Sequence, residues 1–369
     1  MQTSLSIIIE DKTMNDTIAF LMELIRTRPV TQNVDAVNRA AGVVRSRLES
    51  AGIRCVVEKI DGRDTLYASL VPGKTPDYLF NAHLDVVAAD PDMFEPVLSP
   101  DGVLHGRGSN DCLGPAAAIV DTLLALKERG GASCGAFFST DEETGGMTTL
   151  GMVERGYGAK KAIVIVDGDY ASVAIAQKGI LTVKLTRIAR EGGGHSSAPW
   201  AIENPIDTLL DAYQQFRAGW KNPVAGAQWG DSMAATVVSA GKVFNQIPDS
   251  ASMFLNFRLT EEDSEARILG QLRSLTGIRT EVVNRFPPVV FSEKEPAFLK
   301  LKEIYGKYLP NREISFVRMN GATDARHFHS LGVPVAILGV DGEGMHGNHE
   351  ILRTESLGVI RSVLTDFCS

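Results

Sequence analysis

Residues 78–85 read YLFNAHLD, an apolar run of strand length that ends on a histidine and an aspartate, His83 and Asp85. Three further segments repeat that plan. GAFFSTDEE (135–143) runs into Asp141, Glu142 and Glu143; AIVIVDGD (162–169) runs into Asp167 and Asp169; VPVAILGVDGEGMH (333–346) leads to His346. Nearly unbroken apolar runs are what strands covered on both faces look like. Helical patterns lie among them, near GPAAAIVDTLLALKERG (114–130) and LGMVERG (150–156). Strands alternating with helices predict an α/β fold, a mostly parallel sheet with helices on both faces. In open parallel sheets the carboxyl ends of the strands are where sites form. One acid after a strand usually caps the next helix; four such strand ends rich in His, Asp and Glu are harder to dismiss.

Working outward, a helical pattern dominates from about Asp16 to Gly52 (IAFLMELI, then AVNRAAGVVRSRLESAG). The middle third changes character. ILTVKLTRIAR (180–190) reads as a strand, IENPIDTLLDAYQQFRAG (202–219) as a helix, and AATVVSAGKV and ASMFLNFRL as two strands. A helix in EEDSEARILGQLRSLTG and a strand in IRTEVVNRF complete a β-α-β-β-α-β, ferredoxin-like unit. The expected organisation is therefore an α/β domain of residues 1–178 and 286–369, interrupted by an inserted domain of residues 179–285. After the insertion the first style returns, with a helix near PAFLKLKEIYGKYL and the strand VPVAILGV.

Composition excludes several classes. At 369 residues with 44% apolar and 22% charged residues, the chain has the make-up of a globular protein. A formal charge of −8 and the lack of any long basic run speak against a nucleic-acid partner. The scattered Cys55, Cys112, Cys134 and Cys368 form no C-x-x-C pair and read as reduced thiols. The N-terminal MQTSLSIIIEDKTMND lacks the basic start and long apolar core of a signal peptide, and no stretch is long enough to span a membrane. The cytoplasm is the expected location.

A fifth segment, HGRGSNDCLGP (105–115), places Asp111 just before a helix. Alone, Asp111 reads as an N-cap. Together with two histidines and several carboxylates it suits zinc or a related divalent ion.

These residues resemble the di-zinc metallopeptidase superfamily that contains acetylornithine deacetylase, succinyl-diaminopimelate desuccinylase, aminoacylase, glutamate carboxypeptidase and several dipeptidases. The resemblance runs in order along nearly the whole chain. It comprises H-x-D at His83–Asp85, G-R-G-x-x-D at Gly106–Asp111, D-E-E-x-G at Asp141–Gly145 and G-H-S-S-x-P at Gly194–Pro199. It continues with N-x-I-P-D at Asn245–Asp249, Arg258, G-x-x-D-A-R at Gly321–Arg326 and H-x-x-x-E at His346–Glu350. The resemblance implies two zinc ions, for which cobalt or manganese can substitute. His83 and Asp167 would bind one, Glu143 and His346 the other, and Asp111 both. Asp85 would stand behind His83 and fix its tautomer. Glu142 would be the general base, taking a proton from the bridging water and passing it to the leaving amine. His195 would reach the active site of a partner subunit in a homodimer and stabilise the oxyanion. Arg258 and Asn245 would hold the carboxylate of the substrate, an acylated amino acid or short peptide. The implied activity is hydrolysis of an amide bond beside a free carboxylate, by an N-acyl-amino-acid deacylase or by a dipeptidase or carboxypeptidase. A non-catalytic binding protein on the same scaffold is the competing class.

The chain departs from the resembled pattern at Leu113, where Lys is common, and at Asp167, where many deacylases have Glu. Asp169 stands close enough to compete with Asp167 as the ligand. Two other motifs lack their structural context. GASCG (131–135) fits G-x-S-x-G, but a helix precedes it and a strand follows, the reverse of a nucleophile elbow. GEGMHG (342–347) fits G-x-G-x-x-G with too little chain left for a βαβ unit. His327 and His329 read as helix residues on different faces, and His105 and His349 as residues outside the ligand set.

Overall fold

The computed structural model describes residues 2–224 and 229–369. Its chain separates into two compact units, Met1–Ile175 with Phe291–Val317 and Thr323–Ser369, and Ala176–Val290 with Arg318–Ala322.

The first unit is built on a twisted sheet of β1 (Arg54–Ile60), β2 (Arg63–Ser69), β3 (Tyr78–His83), β4 (Cys134–Ser139), β5 (Ala162–Val166), β6 (Ser172–Gln177) and β7 (Val335–Leu338). Their order across the sheet is β1-β2-β4-β3-β5-β7-β6. The four central strands β4, β3, β5 and β7 are mutually parallel. Nearly every residue in them is buried, as expected where helices cover both faces. At the edges β1, β2 and β6 run antiparallel to their neighbours. The sequence pattern had not indicated these edge strands. RCVVEKI and RDTLYAS carry charges between short apolar runs, because β1 is only partly buried.

Helix α1 (Gln2–Arg26) begins well before Asp16, and α2 (Val34–Ser50) is capped by the Asn33 side chain, which accepts from Ala36 N. Helix α3 (Leu113–Arg129) is buried along almost its whole length. Its run of Ala and Leu lets it lie close to α1 and to β3. Leu113, the departure from the resembled pattern, is fully buried in the main core. There it crowds Gly108, whose position has no room for a side chain because a Cβ would come within 2.7 Å of Leu113 Cδ1.

The second unit holds an antiparallel sheet of four strands ordered Ser232–Ala240, Ser250–Leu259, Gly179–Ile188, Arg279–Phe286. Helices Pro205–Ala218 and Ser264–Arg273 supply buried residues to one core with it, including Leu209, Phe216, Ile268 and Leu272. This is the β-α-β-β-α-β arrangement read from the sequence. The Ser250–Leu259 strand alternates strictly, with Ala251, Met253, Leu255, Phe257 and Leu259 buried and Arg258 on the opposite, half-buried face.

Candidate metal centre

Adjacent strands lie about 5 Å apart, so residues just beyond the ends of three parallel neighbours fall within side-chain reach of one another. β3 is the middle strand of β4-β3-β5. It ends on His83, while the chain leaving β4 carries Glu142 and Glu143 and the chain leaving β5 carries Asp167. The other donors arrive by a second device. Short antiparallel strands Val103–His105 and Ile351–Arg353 pair, with His105 opposite Ile351, and bring the loop ending in Asp111 against the loop holding His346.

The geometry converges on Asp111. His83 Nε2 lies 2.9 Å from its Oδ1, and His346 Nε2 lies 3.1 Å from its Oδ2 and 3.1 Å from Glu143 Oε2. Asp111 does not cap α3, whose N-cap is Cys112 with no side-chain cap bond. Burial works to raise the Asp111 carboxyl, but the hydrogen bonds with His346 and His83 outweigh it and hold the group far below the usual carboxylate range. Two sets of donor atoms lie within 4.8 Å of one another, His83 with Asp111 and Glu143, and His83 with Cys112 and Asp167. Asp169 is exposed and belongs to neither set among the described residues.

Burial pushes Glu143 up to about 6 and the Asp167 carboxyl well above its ordinary value. Glu142 is pushed up to about 8 by burial, against the opposing charges of Arg326 and His83. Its Oε1 receives a hydrogen bond from Arg326 Nη2 at 3.0 Å.

The surrounding shell is more elaborate than the sequence indicated. His83 Nδ1 lies 2.8 Å from the backbone oxygen of Asp85 and 3.5 Å from its carboxylate, so the carbonyl is the nearer partner that fixes the ring. The Asp85 carboxylate accepts instead from Thr31 Oγ1 (2.8 Å), Glu142 N (3.0 Å) and Glu143 N (3.3 Å). One buried side chain thereby sets the backbone of both glutamates. Asp141 serves the fold, accepting from Thr148 N and Oγ1 at the start of the helix Met147–Glu154.

Glu350 does the corresponding work for Asp111. Fully buried, its Oε1 accepts from Asn110 N (2.9 Å) and Asp111 N (3.0 Å), and its Oε2 from Gly108 N (2.9 Å) and Arg107 Nη1 (2.5 Å). Asp324 is also buried and takes Ser139 Oγ at 2.5 Å and Thr149 Oγ1 at 2.8 Å. It presses on Gly146, where a Cβ would stand 2.2 Å from Asp324 Oδ1 and where φ is +66°. Only glycine meets both conditions at that turn after the two glutamates. His327, read from sequence as an ordinary helix residue, is buried with Nε2 2.9 Å from Gly145 O. Arg326, Asp324 and Glu350 stood inside recognised motifs without a role, whereas Thr31 and Cys112 had no signal beyond their nearness to other residues.

Over residues 79–369 the sequence matches the profile of Peptidase family M20/M25/M40. The chain belongs to that family. Among curated relatives, a probable succinyl-diaminopimelate desuccinylase of Staphylococcus aureus is 24% identical over 333 residues, covering 78% of this chain and 82% of the relative. Among solved structures, aminopeptidase PepT from Bacillus cereus superposes with a TM-score of 0.80 at 16% identity, covering 96% of this chain and 98% of that one. A Bacillus subtilis protein described as a dinuclear metal-binding peptidase of the M20 family gives a TM-score of 0.68 at 15% identity, covering 97% and 98%. The fold is thus that of M20 peptidases, and the chain is a metallo-hydrolase of this family.

These residues fit a divalent-metal centre. Two histidine nitrogens address the two oxygens of one carboxylate, and Glu143 Oε1 is buried with no hydrogen-bond partner among the described residues. A buried carboxylate oxygen left bare is costly unless a cation completes it.

In the second unit, His195 is exposed on a two-residue strand pairing Gly194–His195 with Gln246–Ile247, and its Nδ1 lies 2.8 Å from Ser197 Oγ. Asn245 is exposed beside it, its carbonyl accepting from Ser196 N at 3.0 Å. Arg258 stands on the Ser250–Leu259 strand, in register with Ile180. Among the described residues no helix is long and apolar enough to cross a membrane, and all four cysteines are free.

Proposed function

We propose that the protein hydrolyses an amide bond next to a free carboxylate, as an N-acyl-amino-acid deacylase or a metallo-exopeptidase, with two zinc ions held around Asp111. The observation that carries this reading is the placement of His83 Nε2 and His346 Nε2 at 2.9 and 3.1 Å on different oxygens of the same carboxylate. His83 and Asp167 would complete one metal position, Glu143 and His346 the other. Bound there, the ions would supply a Lewis acid for the scissile carbonyl and lower the pKa of the attacking water.

The chain's own residues do the remaining work. Glu142 takes the proton from the attacking water and delivers it to the leaving nitrogen, and Arg326, at 3.0 Å, fixes the direction of its carboxylate. Asp85 holds Glu142 and Glu143 through their backbone N–H groups, so that one can ligate while the other faces the substrate. Arg258 and Asn245 bind the substrate's free carboxylate, and His195 donates to the oxyanion in the partner subunit's site. A homodimer through the second unit is supported by the strand Ser232–Ala240, an edge strand exposed from Ala234 to Ala240 with Val237 and Val238 in the open. The free cysteines support a reducing, cytoplasmic setting.

Metal analysis tests the centre directly. Asp111→Asn should lower zinc at both positions, whereas Glu143→Gln should affect one. An Asp111→Asn protein that retains two zinc ions per subunit would overturn the shared-carboxylate reading. A hydrolysis screen of N-acetyl and N-succinyl amino acids against dipeptides, with added zinc, cobalt or manganese, separates deacylase from exopeptidase.

A further inference from the structure

Glu142 and Glu143 stand on a one-turn 3-10 helix, Glu142–Thr144, in the loop that leaves β4. Few bonds close it: Thr144 N donates to Asp141 O at 3.1 Å, and Gly145 N and Gly146 N donate to Glu142 O and Asp141 O, each at 2.9 Å. Short 3-10 pieces have poorer hydrogen-bond geometry than an α-helix and depend on outside support. Asp85 supports the entrance through Glu142 N and Glu143 N. The exit passes through Gly145 and Gly146, at φ +125° and +66°, backbone with no side chain of its own to pin it.

His327 closes that exit. It is 4% exposed, with Nε2 2.9 Å from Gly145 O. A carbonyl oxygen only accepts, so Nε2 carries the hydrogen and donates it. Arg326 Nε lies 3.3 Å from the same nitrogen, but a nitrogen that donates has no lone pair to offer, and the shorter contact to the carbonyl sets the tautomer. Burial lowers the pKa of the imidazole and favours the neutral ring that this tautomer requires. The ring also covers Gly146, where a Cβ would stand 3.0 Å from Nε2. The short helix Ala325–Phe328 that carries His327 holds the base a second time, through Arg326 Nη2 on Glu142 Oε1 at 3.0 Å. Phe328 ties that helix to β4 itself, edge-on to Phe137 with ring centres 6.1 Å apart.

We propose that His327 is a positioning residue for the general base, holding the turn that carries Glu142 by its hydrogen bond to Gly145 O. This rests on the hydrolase reading above and adds to it a residue outside the metal ligands. With the exit released, Gly145 and Gly146 let the turn rotate, and the Glu142 carboxylate leaves the direction that Arg326 gives it. A displacement of about 1 Å at a reacting group is enough to cost roughly 10²-fold in turnover.

Three variants at this one position separate donation from plain packing. His327→Gln keeps an N–H donor close to where Nε2 stands, His327→Asn carries its amide only as far as Nδ1, and His327→Leu has no donor. The first measurement is amide hydrogen exchange of residues 140–147, followed by mass spectrometry on the zinc-loaded protein, which requires no turnover. Exchange of this segment is expected to rise at least about tenfold in the Leu and Asn variants and to stay within about threefold of wild type in the Gln variant. The second is kcat and KM for an amide that the wild-type enzyme hydrolyses, with zinc per subunit measured on the same samples. In the Leu and Asn variants kcat should fall about 10- to 100-fold, with KM within about twofold and zinc retained, because the base acts in the chemical step and not in binding; the Gln variant should recover most of the loss. If His327→Leu fails to fold by circular dichroism, the comparison of Gln with Asn decides.

The exchange experiment decides the clamp, and the kinetic one decides its use. Exchange unchanged in the Asn variant overturns the clamp even if hydrolysis proceeds. Faster exchange with kcat retained overturns the link to Glu142. A Gln variant as impaired as the Asn variant, or zinc lost together with turnover, overturns the positioning role in favour of packing. The expected exchange pattern in a protein that hydrolyses no amide overturns the hydrolase reading and leaves the clamp standing.

Discussion

Replacing Glu350 by Gln should unfasten the metal centre from behind. The substitution keeps the side chain's size, so it opens no cavity, but it removes one charge and turns one acceptor oxygen into a donor. If the remaining oxygen keeps Asn110 N and Asp111 N, then Gly108 N and Arg107 Nη1 face an amide NH2 group instead of Oε2. Arg107 is 1% exposed and cannot turn to solvent; its Nη2 already donates to Gly347 O. Breaking one side of a buried ion pair costs about 3–5 kcal/mol, and each donor left unpaired costs ~1–3 kcal/mol within that loss. Against a total stability of roughly 5–15 kcal/mol, a loss near 4 kcal/mol is large. It corresponds to a melting-point drop of roughly 6–20 °C for a unit of this size. The three tryptophans all lie at positions 200–229, in the second unit. Thermal unfolding should therefore be followed by circular dichroism or calorimetry, with zinc per subunit measured on the same samples. Metal content should fall with stability, because the Asp111 loop loses the carboxylate that holds its N–H groups. A Glu350→Gln protein that melts within about 2 °C of wild type with a full metal complement would refute the argument.

Leu113→Lys restores the residue common in the resembled enzymes, yet it should destabilise this chain by roughly 2–5 kcal/mol, because the position is fully buried in the apolar core against Gly108; an unchanged melting curve would contradict this. Mixing a Glu142→Ala protein with a His195→Ala protein should restore part of the activity lost by each, since one site of a mixed dimer keeps Glu142 and the partner's His195. Failure after verified subunit exchange would mean that His195 acts in its own chain or not at all. Each variant alone should retain its zinc, with a loss in turnover of about 10²-fold or more for His195→Ala.

The strand ends show how much was legible in sequence. Each run such as AIVIVD states its burial locally, because a strand covered on both faces must be apolar at every position. Donor residue types at four such ends therefore point, in the sequence alone, to one shared candidate centre. The same residues could not say which acid does what. Asp111 as a cap and Asp111 under two histidines have the same letters around them, and Asp141, Glu142, Glu143, Asp167 and Asp169 are chemically alike. The order of the strands placed β3 between β4 and β5, and only that order makes His83 a neighbour of both Glu143 and Asp167.

The supporting contacts were further out of reach. Glu350 meets Gly108 and Asp111 across some 240 residues of chain, Asp85 meets Glu142 across 57, and Asp324 meets Ser139 across 185. Periodicity and turn chemistry are properties of a few consecutive residues. A hydrogen bond between distant loops depends on how every intervening element packs, and that is settled only when the whole core closes around them.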